Sequence, residues 1–409
     1  MFKQKIFKEA SLLFSSKFIS AIFAFLYTVL MARYLGSENF GVISYALAFT
    51  GIFAIFADFG LQNLSIREIS RRKNSKKYFE NLLGIKVISS LATATFTLII
   101  TILFNYPFEK TFVVLSIVIY MILNSFNGFY YAVHQAFQNY KYLSIFYLLN
   151  NVLMLLLVIV GIYFNTGIIY YAIIYAVSSL VVFLFNFKII LNYFGRFKLD
   201  FEFKLLKEIF NESISFLLVG LFVVIYFKID SVMISFMMGD YYVGLYNASY
   251  RIIDGLTYIL PSVIFSLVYP KMSKNYNIKD ALRKLYKKVL LISFFVGLCA
   301  SLFVTLFSKE IILMIYGLEY LGSVSSLKIL VWAFFVICIS SITSGMLTAV
   351  NKQKIVAYST GVGAFINVIL NLILIPAYGL SGAAFATLAT EVVGFFIYIY
   401  YVMKYLSSS

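Results

Sequence analysis

Long apolar stretches of about twenty residues alternate with short polar intervals along almost the whole chain. A bilayer core of about 30 Å takes roughly 20 mainly apolar residues per helix, and that ruler predicts twelve spans. The first six cover 11–32, 40–61, 82–104, 111–136, 142–164 and 168–192. The second six cover 213–238, 243–268, 282–306, 327–349, 356–375 and 380–406. The widest polar interval, 193–212, reads as a cytoplasmic linker between an N-terminal six-helix lobe (1–192) and a C-terminal one (213–409). The predicted fold class is an all-α polytopic membrane protein, with no stretch left over for a sizeable soluble domain. The basic start at 1–8 runs into a span of full length without an A-x-A-like exit, so it reads as a first helix and not as a cleaved signal.

Composition agrees. The 409 residues are 62% hydrophobic and 12% charged, against about 45–50% and 25% in soluble domains. The net charge of +16 comes from 33 Lys+Arg and 17 Asp+Glu, and its distribution separates two meanings. Lys and Arg collect in alternate loops, as in Arg67, Arg71, Arg72, Lys73, Lys76 and Lys77, and again in Lys271, Lys274, Lys279, Arg283, Lys284, Lys287 and Lys288. The opposite loops hold only Arg33, Lys110, Lys309 and Lys328. That asymmetry puts both termini in the cytoplasm of a cell membrane and argues against a nucleic-acid partner. His134 lacks ligand-spaced partners, and Cys299 and Cys338 lie in apolar runs, so no metal site or disulfide is predicted.

The halves repeat. Leu35-Gly36-Ser37-Glu38-Asn39-Phe40-Gly41 and Met238-Gly239-Asp240-Tyr241-Tyr242-Val243-Gly244 share G-x-x-x-x-G, and Gly167-x-x-x-x-Ala172 is matched by Gly379-x-x-x-x-Ala384. Glycine allows a tight turn and the close approach of neighbouring helices. A six-span repeat keeps its orientation, so its pseudo-twofold axis runs along the membrane normal. The stretches Val29-Leu30-Met31-Ala32-Arg33-Tyr34-Leu35-Gly36, Lys228-Ile229-Asp230-Ser231-Val232-Met233-Ile234 and Gly244-Leu245-Tyr246-Asn247-Ala248-Ser249-Tyr250-Arg251 resemble those of the polysaccharide (O-antigen type) flippases. That family belongs to the multidrug/oligosaccharidyl-lipid/polysaccharide exporter superfamily. The resemblance implies two six-helix lobes in a V, a central cavity, and alternating access that flips a lipid-linked oligosaccharide. It also implies a cargo other than the peptidoglycan precursor, whose fourteen-span flippases carry two further C-terminal helices.

Charges within spans are the candidate site. Each costs about 2.5–3.5 kcal/mol at the bilayer centre. Lys228 and Arg251 lie at similar depth below the 239–240 turn, Asp230 is expected within reach of Arg251, and Arg251 and Asp254 share a helical face. At the repeat-related positions stand Phe25, Tyr27, Ala48 and Gly51, so the shared architecture does not require these charges. Lys17, Lys228 and Arg251 are the predicted cationic substrate site. Asp230, Asp254 and Glu391 are predicted to couple an ion or pair charges, and Gly36, Gly41, Gly239 and Gly244 to shape the turns. Lys17 either faces the cavity or snorkels. Lys86 is expected to snorkel, and Asp58 to sit at a helix end. Pro261 gives either a hinge or a static bend. Tyrosines line a sugar path or pack the interior.

The expected function is a non-enzymatic flippase that moves a polyprenyl (pyro)phosphate-linked oligosaccharide by alternating access. Expected partners are membrane lipids and polysaccharide-assembly enzymes, with Na⁺ or H⁺ as the coupling cation and no other cofactor. The rival readings are an ion-coupled multidrug exporter of the same superfamily and a membrane glycosyl polymerase or ligase.

Overall fold

The computed structural model describes residues 2–71, 75–274 and 278–407; the side chains of 2–10, 215, 262–263 and 265–267 are not described. Arg72 and Lys73 of the predicted cytoplasmic loop, and the side chains of Lys3, Lys5 and Lys8, fall outside this set. Among the described residues, nine helical stretches are long and apolar enough to cross a membrane. Two of them are double-length and interrupted at glycine. α1 (Phe2–Asp58) breaks at Gly36 (φ 75°), and α12 (Gln353–Ser407) breaks at Gly379 (φ 57°). The nine do not include α8 (Asp240–Lys274), which is 35 residues long and runs unbroken past Pro261 and Pro270.

The chain divides into two compact units: Met1–Leu35 with Val42–Val224, and Gly36–Gly41 with Ile225–Ser409. The division falls inside α7 (Phe203–Met238), whereas the sequence suggests the interval 193–212. The first turns of α7 pack as part of unit 1. The β-carbon that Gly60 lacks would meet Phe216 and the carbonyl of Ser213, that of Gly220 would meet Ile55, and Arg67 pairs with Glu212.

Unit 1 further comprises α2 (Leu61–Arg71), α3 (Ser75–Leu103), α4 (Phe108–Ala136), α5 (Tyr140–Tyr163) and α6 (Ile168–Phe194). Its core gathers Leu61, Leu64, Tyr78, Phe79, Phe129, Tyr130 and Ile190, with Phe79 stacked on Phe194 at 4.3 Å. Apolar burial drives helices together weakly in lipid, so interhelical hydrogen bonds matter. A buried polar spine supplies them between α4 and α6. Asn127 donates to Ser179, Asn186 donates to Asn127 at 3.1 Å, and His134 bonds Asn186 at 3.0 Å and Tyr193 at 3.1 Å. His134 is thus fully partnered in the core. The chain after α6 returns as an extended strap on the start of α3. There Lys198 N–H donates to Glu80, Glu202 N–H donates to Asn81, and Asn81 donates to Asp200.

Unit 2 consists of the rest of α7, α8, α9 (Lys279–Leu306), α10 (Ser308–Ile315), a short 3₁₀ turn (Leu318–Tyr320), α11 (Ser323–Ala349) and α12. α11 is its centre. Small residues let backbones approach: Ser249 donates to the Ser323 carbonyl and Ser323 to the Leu245 carbonyl, at 2.8 and 2.7 Å. Cys338 is buried against Gly297, but Cys299 is exposed, so only the first is a core residue; both are free thiols.

The turn glycines divide into two kinds. Gly36 and Gly239 hold positive φ (75° and 101°). Gly41 and Gly244 instead make room. A β-carbon at Gly41 would lie 1.7 Å from the carbonyl oxygen of Asp240, and one at Gly244 would lie 1.9 Å from that of Ser37. The contact is reciprocal, since 41 corresponds to 244 and 37 to 240 in the repeat. Beside it, Glu319 accepts from the backbone N–H of Ser37 at 2.6 Å and from its hydroxyl at 2.9 Å. The carboxylate therefore sits at the start of the helical run after Gly36, where the helix dipole favours a negative charge.

Candidate functional site

Lys228 and Asp230 stand two positions apart on α7, so about 200° of helical turn separates them. They serve different surroundings: Lys228 is exposed and Asp230 is buried. Lys228 lies within electrostatic range of Arg251 and Asp254 on α8. Arg251 and Asp254 form an ion pair one turn apart at 3.6 Å, with side chains 40% and 50% exposed. Lys228 and Arg251 each lie eleven residues from the 239–240 turn, roughly 17 Å of helix and near mid-bilayer. Charges at such depth pair with one another or face water. Fully ionised, the cluster carries one excess positive charge.

Asp230 does not join it. The expected contact with Arg251 is replaced by a cradle of neutral donors. Tyr246 donates to Oδ2 at 2.9 Å, Thr387 to Oδ2 at 2.8 Å, and Asn371 to Oδ1 at 2.7 Å. Asn371 also donates to Asn367 Oδ1 at 3.0 Å, while its own Oδ1 is buried without a hydrogen-bond partner. Among the described residues Asp230 makes no ion pair. The reason is the helix face: depth along α7 equates 228 with 230, but rotation turns the second toward α12. The cradle residues Asn367, Asn371 and Thr387 carry no charge that would single them out in the sequence. Their signal was two asparagines four residues apart in an apolar run, facing a threonine in the last span.

Glu391 accepts from the Tyr226 hydroxyl at 2.6 Å, so its partner is a phenol and not a lysine. Gly363 gives the Tyr226 ring its place, since a β-carbon there would lie 3.1 Å from the ring.

In unit 1, Lys17 is exposed with its ammonium 5.4 Å from the centre of the Tyr147 ring. Lys86 does not snorkel. It is wholly buried and donates to the Ala57 carbonyl at 2.9 Å and to Ser125 at 2.5 Å, with Asp58 at 3.6 Å. Asp58 does end α1; the left-handed residues Phe59 and Gly60 that follow bring it over Lys86. Removing one member of a buried pair costs about 3–5 kcal/mol, whereas apolar replacement of both is often neutral. Lys86→Met should therefore lower the melting temperature in detergent sharply, and Lys86→Met with Asp58→Leu should recover most of the loss.

Comparison with known proteins adds the following. A family profile described as "Polysaccharide biosynthesis protein" matches residues 6–276, and a profile described as MatE matches 216–373. The capsular polysaccharide biosynthesis protein CapF of Staphylococcus aureus is 23% identical, over 96% of this chain and 98% of that protein. The probable low-salt glycan biosynthesis flippase Agl15 of Haloferax volcanii is 24% identical, over 97% of this chain and 83% of that protein. Among solved structures, the lipid II flippase MurJ in an inward closed conformation superposes with a TM-score of 0.82 at 16% identity, covering 96% of this chain and 87% of that one. An inward-facing multidrug resistance MATE family transporter of the MOP superfamily gives 0.75 at 17% identity, covering 95% and 96%. At these identities the structures show the fold, that of a multi-pass membrane protein.

Proposed function

We propose, from the premise that this chain belongs to the polysaccharide biosynthesis protein family, that it is a flippase for a polyprenyl (pyro)phosphate-linked oligosaccharide. It would act by alternating access in the cytoplasmic membrane, with both termini inside, between the enzymes that build the oligosaccharide and those that assemble it into surface polysaccharide. The observation that carries this reading is the exposed, net-positive cluster of Lys228, Arg251 and Asp254 at mid-span depth. A phosphate held there meets two cations, and Asp254 orients Arg251 from the neighbouring turn. The lipid tail stays in the bilayer. The MatE match keeps a second reading open, an ion-coupled exporter of cationic drugs, but the excess positive charge of the cluster disfavours such a cargo.

The Asp230 cradle supports coupling to a small hard cation. Its acceptors are all oxygen: the carboxylate, Thr387 Oγ1, Asn367 Oδ1, and the otherwise unpartnered Oδ1 of Asn371. Na⁺ suits such oxygen donors. A bound cation, or a proton, would neutralise a carboxylate that has no counter-ion side chain among the described residues. Glu391, bonded to Tyr226, is the second candidate for the proton.

Reconstitution into liposomes with labelled lipid-linked oligosaccharide tests the proposal. Leaflet exchange accelerated by an Na⁺ or H⁺ gradient is expected, and export of cationic drugs with no lipid movement would overturn it. In the same assay Asp230→Asn should fall to the gradient-free rate at unchanged abundance. A variant that still responds fully to the gradient removes Asp230 from coupling.

A further inference from the structure

The Asp230 cradle and the Glu391 pair are successive layers of one structure. Asp230 follows Tyr226 by four residues on α7, Tyr250 follows Tyr246 by four on α8, and Glu391 follows Thr387 by four on α12, so each pair shares a helical face. α7 runs up to the Gly239 turn, α8 runs away from it, and the second part of α12 runs away from the break at Gly379. Asp230, Tyr246 and Thr387 therefore make one layer, and Tyr226, Tyr250 and Glu391 make the next, further from the turns. The hydrogen bonds follow the layers: Tyr246 and Thr387 donate to Asp230, and Tyr226 donates to Glu391 at 2.6 Å. Tyr250 is the third member of the lower layer, half-buried, with its ring 5.9 Å from that of Tyr246. Among the described residues no hydrogen bond fixes its hydroxyl, unlike those of Tyr226 and Tyr246.

Four residues further along the same face of α8 stands Asp254, half-exposed and 3.6 Å from Arg251. A good charge-assisted hydrogen bond is about 2.7–2.9 Å long, so Arg251 holds Asp254 loosely. The Tyr250 hydroxyl lies within electrostatic range of Asp254, Asp230 and Glu391. A phenol has one proton to donate, and here three carboxylates compete for it. While Asp230 and Glu391 are ionised, their charge draws the hydroxyl inward and leaves Asp254 to Arg251. Once a cation or a proton neutralises them, Asp254 is the remaining charged acceptor, and a carboxylate held by Tyr250 releases Arg251.

We infer that Tyr250 is the positioning residue that links the buried carboxylates to the cationic cluster: it donates to Asp254 as Asp230 and Glu391 are neutralised, and so frees Arg251 for a phosphate. This rests on the flippase reading and specifies how the two sites of that reading sense each other. Linkage is reciprocal, so an ion that tightens phosphate binding is itself held more tightly when phosphate is bound. The competing account is that Tyr250 only packs its ring beside Tyr246, which predicts a loss of stability and no effect on linkage.

The purified full chain in detergent is titrated with farnesyl diphosphate, with Na⁺ exchanged for choline at constant ionic strength and, separately, at two pH values above the last ionisation of the diphosphate. The parent should bind at least about fivefold tighter with the neutralising ion than without it, and Tyr250→Phe, which keeps the ring, should reduce that ratio to less than about twofold. Asp254→Asn should bind tightly with or without the ion, because Arg251 is no longer engaged. Tyr316→Phe is the matched control. Its hydroxyl is buried without a hydrogen-bond partner and lies in range of Arg251 and Asp254, but Tyr316 belongs to neither layer, so the parent's ratio should persist. A Tyr250→Phe chain with the parent's ratio overturns the inference. So does one that no longer binds diphosphate at all, since Tyr250 would then be a ligand, and so does loss of the ratio in Tyr316→Phe. A parent that binds diphosphate without any ion response removes the coupling sites and this link with them, and a parent that binds no diphosphate removes the flippase reading and the inference together. Should Tyr250→Phe fail to fold, an ion response retained by Asp254→Asn overturns the inference by itself.

Discussion

A chain carrying Lys228→Ala and Arg251→Ala is expected to flip lipid-linked oligosaccharide at least about tenfold more slowly than the parent at equal abundance. A hydrogen bond to a charged group contributes about 1.5–3 kcal/mol, and 1.4 kcal/mol is already a factor of ten. Losing both cations therefore exceeds the tenfold bound if the phosphate binds them. Folding should survive, because the Arg251 and Asp254 side chains are 40% and 50% exposed and Lys228 is exposed too. Two companions sharpen the result. Lys228→Arg keeps the charge and should keep most of the rate. Arg251→Gln with Asp254→Asn removes the ion pair without an orphan carboxylate, and should still slow transport. Rates in liposomes, set beside melting temperatures in detergent, check all three. Unchanged flipping by the double alanine variant would dismiss the cluster as the phosphate site.

The second large effect is on stability. Gly41→Ala or Gly244→Ala should each abolish or sharply reduce the folded yield, although each adds a single methyl group. The new β-carbon would lie 1.7 or 1.9 Å from a backbone oxygen, and no rotamer can move a carbonyl aside. Ordinary overpacking costs about 1–3 kcal/mol, and here the backbone of a tight turn has to shift. Gly239→Ala offers a different outcome. Nothing lies within 4 Å of its absent β-carbon, so only the left-handed backbone is penalised, by roughly 1–2 kcal/mol. Gly255→Ala, inside α8 and in open space, should be neutral or slightly stabilising. Fluorescence-detected size exclusion and thermal unfolding order the four variants. If Gly244→Ala were as stable as Gly255→Ala, the close turn contact would be wrong.

Depth was legible in the sequence and direction was not. Apolar run lengths located the helices, and Gly36 and Gly239 take the positive φ of turn glycines, because length and φ > 0 are properties of local sequence. What surrounds a buried charge depends on which face of the helix it occupies and on what packs there. Lys228 and Asp230 share a depth, yet one is exposed and the other lies among Tyr246, Asn371 and Thr387. Lys86 sat near a predicted helix end, where snorkelling is the usual outcome. The left-handed pair Phe59 and Gly60 turned Asp58 onto it instead, and hydropathy carries no trace of such a turn. The polar interval 193–212 was legible as a break between apolar runs. Its docking on Glu80 and Asn81 was not, because a strap held by backbone N–H groups can be written with many different side chains.

The glycine contact between the two turns has an evolutionary consequence. Position 41 meets 240 while position 244 meets 37, the arithmetic of a homodimer interface carried within one chain. A duplicated gene usually frees its copies to diverge, and elsewhere these halves have done so, with Lys228 opposite Phe25 and Arg251 opposite Ala48. At the turns neither copy has that freedom. Each glycine is kept small by the backbone of the other copy, so a side chain gained in one half cannot be compensated by any side chain lost in the other. This one small contact would therefore preserve the memory of the duplication after the rest of the sequence had erased it.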